Sequence, residues 1–271
     1  MSLKYFSYNN KTLIEYGCVM CSFGDINNIV TFSIPQLTFN TIKLPSKNRR
    51  RKYSTEYADS LTTTISICKD IGVTGGTLVF TSLEVSRIYQ WLDTKTYKKL
   101  KILDSTYFDG VYYNAAFTSI NQVKHNGDVI GFELTIQTDL PYACGDDVDK
   151  NIVLSGEVQS DMIFNTDEYG FYYPSDMTIT INEAGNLTLS NTLDSRSLYI
   201  ANCELDEVIT IDNENQIITT SSMTHNIYDD FNYNFFRLVS DVDNGNVNGF
   251  ESTIDVQLDF TYSPAKKVGI V

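Results

Sequence analysis

Lys47-Asn48-Arg49-Arg50-Arg51-Lys52 concentrates positive charge in a chain whose formal net charge is −14. A run of this kind has three readings. It can be a nucleic-acid patch, an exposed arm whose cations dock on an acidic neighbour, or a solvated loop. The acidic chain and the shortness of the run count against nucleic acid. Tyr53 and Tyr57 follow it directly. A second candidate is the aromatic cluster Tyr169, Phe171, Tyr172 and Tyr173, broken by Gly170 and closed by Pro174. On a β-sandwich such rings could line a sugar or adaptor surface. Strand packing followed by a turn is the plainer alternative. A third, Asp241 to Glu251, has the look of a calcium loop. Gly245 and Asn246 stand where an EF-hand needs a ligand and then a glycine, and the flanks read as strands. A hairpin turn between β runs accounts for it better.

The remaining chemistry is generic. Glu204, Asp206, Glu207, Asp229 and Asp230 supply carboxylates, but nothing in the sequence faces one pair across a cleft. His125 and His225 are the only histidines. Neither belongs to a nucleophile motif, and no phosphate-binding glycine loop appears. Cys18 and Cys21 form a lone CxxC among five scattered cysteines. A zinc site needs a second pair or spaced histidines, and the odd, scattered set argues against a disulfide framework, so small buried thiols are the expectation. No catalytic residue, metal site or cofactor is predicted.

The elements that must position these groups are mainly strands. Tyr (18) and Phe (15) are abundant, and Gly, Asn and Asp clusters interrupt the apolar runs. Leu61, Thr63, Ile65 and Ile67 alternate with polar residues. So do Phe132, Leu134 and Ile136; Met177, Ile179 and Ile181; Leu187 and Leu189; and Ile254, Val256, Leu258 and Phe260. This period of two marks strands with one wet face. One helix is predicted at about residues 82–96. Thr81 and Glu84 offer a capping box, Val85, Ile88, Trp91 and Leu92 share a face, and Lys95 suits the C-terminal end of the dipole. Trp91, the only Trp, reads as a core anchor.

Charge divides the chain. Residues 1–150 hold 16 Lys+Arg against 15 Asp+Glu, and residues 151–271 hold 4 against 19. Two domains are expected, 1–145 and 146–271, with the boundary near Pro141–Asp147. The acidic half repels phosphate and is a poor nucleic-acid binder. No apolar window suggests a signal peptide or a membrane span, so a soluble protein made in the cytoplasm is the expectation.

The opening Phe6-Ser7-Tyr8-Asn9-Asn10-Lys11, then Glu15-Tyr16-Gly17, resembles the start of the siphophage distal tail protein (Dit) family. Tyr89-Gln90-Trp91-Leu92, Lys101–Asp104, Tyr107–Ala115 and Gly131–Ile136 running into Asp139–Ala143 are similar in order and spacing. Phe236–Val239 and the end through Tyr262-Ser263-Pro264 resemble the family's closing hairpin. The resemblance implies an N-terminal β-sandwich with one helix and an extended hairpin arm, followed by a galectin-like β-sandwich. It implies a structural, non-enzymatic protein at the distal end of the virion tail. Six copies would form a ring between the tail-tube protein and the tail-tip protein, with receptor-binding or accessory baseplate proteins attached. On that reading Lys47, Arg49, Arg50, Arg51, Lys52 and Tyr53 belong to the inter-subunit arm. A virion carbohydrate-binding module, with Tyr169, Phe171, Tyr172 and Tyr173 as its surface, is the alternative function.

Overall fold

The computed structural model describes residues 5–23, 37–45, 48–57, 60–103, 109–163, 166–241, 243 and 245–269, without the side chains of 73 and 74. The architecture is mainly β, as the alternation predicted. Two compact units divide it: Met1–Cys144 with Lys267–Val271, and Gly145–Lys266.

In the first unit an antiparallel sheet runs in the order Lys11–Thr12, Tyr5–Tyr8, Lys98–Leu103, Val111–His125, Asp128–Thr138, Thr62–Lys69, Cys18–Cys21. The apolar members of each alternating run face inward. Ile65, Ile67, Phe132, Leu134 and Ile136 are all buried in one cluster. The helix Ser82–Leu92 lies on this cluster through Ile88, Trp91 and Leu92. Its capping box forms: Thr81 N donates to Glu84 Oε2 at 2.7 Å, and Glu84 N donates to Thr81 Oγ1 at 3.3 Å. Lys69, on the neighbouring strand, pairs with the same Glu84 oxygen at 2.8 Å.

The helix stops four residues earlier than its sequence pattern suggested. Asp93 leaves helical geometry at ψ 81°. The Thr94 hydroxyl bonds Tyr8 Oη and the carbonyl oxygen of Thr96, which turns the chain toward the strand Lys98–Leu103. Lys95 therefore sits beyond the last turn. A cation's gain from the dipole is about 0.3–1 kcal/mol and does not extend a helix against such bonds. Trp91 is the core anchor expected. Its ring stacks on Tyr16 at 4.2 Å and on Phe6 at 5.6 Å, and Nε1 donates to the Tyr8 carbonyl oxygen at 2.9 Å.

In the second unit two antiparallel sheets face each other. One has five strands, Val148–Leu154, Val256–Tyr262, Asp176–Ile181, Val208–Asp212 and Ile217–Thr220 in that order. The other has four, Gln159–Met162, Val247–Ser252, Gly185–Asn191 and Ser197–Cys203. Leu154, Ile179, Ile211 and Leu258 from the first meet Leu187, Leu189, Ile200 and Phe250 from the second in one core. The calcium-like segment makes a tight turn, with Gly245 and Asn246 at positive φ. The hairpin expected there does not form, because its flanking strands pair elsewhere, Leu238–Ser240 with Gly170–Tyr172 and Val247–Ser252 with the four-stranded sheet. Asn248 bridges them instead, its side chain accepting from Val239 N and donating to Val239 O, each at 2.8 Å.

Candidate interaction surfaces

The basic run lies on a hairpin. Leu37–Lys43 pairs with Arg50–Tyr57 in a two-stranded sheet of its own, bulged between Asn40 and Thr41. No third strand joins it among the described residues. Arg49, Arg50, Arg51 and Lys52 are exposed, and Lys47 lies outside the described residues. The register sets Lys43 directly opposite Arg50, and like charges directly opposite destabilise a strand pair. Apolar groups are exposed too: Leu37, Phe39, Ile42 and Tyr53, the last at 64%. Lys52 Nζ covers the Phe39 ring from 5.2 Å. A lone two-stranded ribbon is only marginally stable in water, and an uncovered edge is a template for another chain. Tyr57 fixes the base of the hairpin by an edge contact with Tyr142 at 6.1 Å.

The aromatic cluster forms the short strand Gly170–Tyr172, paired with Leu238–Ser240. Strand alternation separates its members. Tyr169, Phe171 and Tyr173 are exposed, whereas Tyr172 turns toward the core and its hydroxyl donates to the Glu168 carbonyl oxygen. Behind Phe171 lies a residue that the sequence reading did not assign to this surface. The Arg237 guanidinium stands 3.9 Å from the Phe171 ring centroid. Arg237 donates bidentately to Asp194, Nε to Oδ2 at 2.8 Å and Nη2 to Oδ1 at 2.7 Å. The Asp194 side chain is only 3% exposed. Burial raises its pKa, but the hydrogen bonds from Arg237 and from the Arg196 amide outweigh this and hold the carboxyl below its usual range. The signal available was scarcity, since Arg237 is one of four cations in residues 151–271.

Of the scattered carboxylates, Glu207 is buried against His225, with Glu204 and Asp230 at the edge of the same network and Asp206 and Asp229 exposed outside it. His225 Nδ1 lies 2.7 Å from Glu207 Oε1, with both side chains 1% exposed. Its Nε2 is 3.3 Å from Asp230 Oδ2 but out of line for a hydrogen bond. Glu207 also accepts from the Glu204 amide and the Thr220 hydroxyl. The Ser222 hydroxyl donates to Glu204 rather than to the imidazole, so no serine nucleophile is assembled there. The network ties the loop after Ile217–Thr220 to the helical turn Ile227–Asp230. Among the described residues no group of three or more His, Cys, Asp or Glu could hold a metal ion, and no helix is long and apolar enough to cross a membrane.

Two family models cover nearly the whole chain. Residues 1–140 match the family described as a phage tail protein N-terminal domain, and residues 142–262 match its phage tail C-terminal domain. The chain belongs to this phage tail protein family. No curated protein matches the tail protein's sequence. Its fold is similar to that of the crystal structure of phage SPP1 Dit, described as a paradigm of the hub adsorption apparatus in phages that infect Gram-positive bacteria. That similarity has 8% identity and a TM-score of 0.61, and covers 97% of this chain and 99% of that one. A chain of the phage P2 baseplate in its activated, calcium-bound conformation is a more distant likeness, at 10% identity and TM-score 0.49, covering 96% and 98%.

Proposed function

We propose that this tail protein is a distal tail hub, a structural and non-enzymatic subunit whose copies close into a hexameric ring through residues 1–145. The ring joins the tail-tube protein to the tail-tip protein at the distal end of the virion tail. Residues 146–271 form a galectin-like outer domain offered to receptor-binding or accessory baseplate proteins. The shared fold with the SPP1 hub protein supports this assignment. The observation that carries it is the hairpin of residues 37–57. It exposes Phe39, Ile42 and Tyr53, and it opposes Lys43 to Arg50. Such a ribbon is satisfied by an apolar surface of the next copy that also offers carboxylates, of which residues 1–150 of each copy carry 15. A head-to-tail contact of this kind closes a ring when each subunit gives one patch and receives another. Backbone pairing and apolar burial dominate, because exposed ion pairs contribute about 0–1 kcal/mol each.

Native mass measurement of the purified protein should therefore give a hexamer, or a double ring. Neutralising Arg49, Arg50, Arg51 and Lys52 together should lower the salt concentration at which it dissociates. A monomer at high protein concentration, or a ring indifferent to the four substitutions and to salt, would sink the arm assignment.

A second reading has its own observation. Tyr169, Phe171 and Tyr173 are exposed in and beside the short strand Gly170–Tyr172, and the Arg237 guanidinium stands over the middle ring. Exposed rings set on a rigid base suit the apolar faces of sugars. On a glycan array the full-length protein should then bind, and Phe171→Ala should abolish the signal. Silence of the wild type across wall polysaccharides would leave the hub role without direct sugar contact.

A further inference from the structure

The edge strand Cys18–Cys21 pairs with Thr62–Lys69 so that Val19 faces Cys68 and Cys21 faces Ser66. Opposed residues share a face of the sheet, as do residues two apart on one strand. Cys21 and Cys68 are therefore diagonal neighbours on one face, opposite to the core face that holds Cys18 and Ile67. Both are free thiols at intermediate exposure, close enough to perturb each other's titration. Phe23, two residues after Cys21, lays its ring on Gly131, the register partner of Cys68. A Cβ at position 131 would come within 2.2 Å of that ring, so glycine is what lets the chain cross the sheet here. The strand's exit is thus held beside Cys68.

We propose that Cys21 and Cys68 form a reversible disulfide that staples the root of the hairpin arm once the protein leaves a reducing compartment. The chain between the two cysteines carries both strands of the arm, and Cys18–Cys21 is a four-residue edge strand with a single neighbour in the sheet. Such an edge is among the first places a sheet opens. A phage tail is built inside the host, where thiols stay reduced, and works outside it, where disulfides persist. The oxidant is a peroxide. The Cys68 thiolate attacks one peroxide oxygen, the O–O bond breaks, and the departing hydroxide takes up the proton released from the Cys68 thiol, giving a Cys68 sulfenic acid and the first water. The Cys21 thiol then attacks the Cys68 sulfur, the S–O bond breaks, and the Cys21 proton passes to the departing hydroxide, which leaves as the second water. Two thiols lose two electrons and two protons, and one peroxide gains them. Cys68 is suited to act first: the Cys21 S–H bond to its thiolate lowers its pKa, although burial opposes this. Burial pushes the Cys18 thiol up to about 12, which keeps it out of the exchange.

The test uses the full-length protein, purified with reductant, desalted, treated with hydrogen peroxide and mapped without reduction. A peptide pair joining Cys21 to Cys68 within one chain should appear, with the intact mass lower by two hydrogens and restored by dithiothreitol. The unfolding midpoint followed by Trp91 fluorescence should rise on oxidation, and neither Cys21→Ser nor Cys68→Ser should show that rise. Three outcomes overturn the proposal: both thiols remaining open to alkylation after oxidation, a cross-link between two chains, or an intramolecular link that leaves the midpoint where it was.

Discussion

Asp194→Asn is expected to cost the C-terminal unit about 3 kcal/mol, because it leaves the Arg237 guanidinium mostly buried without its carboxylate. The side chain keeps its shape, so the loss reports the charge and the second strong hydrogen bond rather than a cavity. Trp91, the only Trp, lies in the other unit, so two probes separate the effects. Urea unfolding of the variant should show an early transition by far-UV circular dichroism, while the tryptophan transition stays in place. The pH dependence follows from the direction of the shift. Asp194 has a folded-state pKa below its unfolded value of about 3.9. Its contribution is present above that value and is lost as the pH falls through the folded pKa. The gap between wild type and variant should accordingly be full at neutral pH and shrink below about pH 4. A gap under about 1 kcal/mol at pH 7 would place the pair among ordinary surface bridges instead. The same change should free Phe171 from its cationic base, so any sugar binding should weaken along with the stability.

Trp91→Ala should cost the N-terminal unit about 4 kcal/mol, in the range for emptying a large aromatic site. The ring is shared by Phe6, Tyr8 and Tyr16, which come from the first strand and the 3-10 turn after it. Its loss would unlock the N-terminal strand as well as the helix. Trp91→Phe separates two contributions. The stack survives in part, but the Tyr8 carbonyl oxygen loses the indole donor, for about 1–2 kcal/mol. Circular dichroism serves for both variants, since the fluorescent probe is gone. Equal losses in the two variants would mean that the hydrogen bond, and not the stacked ring, anchors the helix.

Local pattern made much of the fold readable. Ile65 and Ile67, or Ile179 and Ile181, are buried because a period of two leaves a strand no other way to hide them. Thr81 and Glu84 disclosed the start of the helix through a reciprocal bond spanning three residues. Its end was hidden, because Thr94 is engaged by Tyr8, far away in sequence. The cysteines were legible in part. Cys18, Cys144 and Cys203 are the buried free thiols expected, but positions three apart on a strand face opposite sides, so Cys21 leaves the core face and is only partly buried, as is Cys68, its diagonal neighbour. Arg237 with Asp194, and His225 with Glu207, are joined only by the tertiary fold, and composition shows no more than that cations are rare in that half. The aromatic cluster was legible as a group, but only the strand's alternation separates Tyr172 from its three exposed neighbours.

The chain leaves the first unit after Cys144 and re-enters it at Lys267, where the Tyr113 hydroxyl donates to the carbonyl oxygen of Gly269 at 3.0 Å. The second unit is thus spliced into the first like an insert with two covalent leads. A ribosome must release the tail of the chain before the earlier unit has all its parts, so the two halves cannot mature in strict order. A protease that cuts after Cys144 leaves the insert held to the first unit only by the non-covalent seat of its last residues, whereas a cut before Lys267 keeps the insert on its covalent lead and frees only that closing segment.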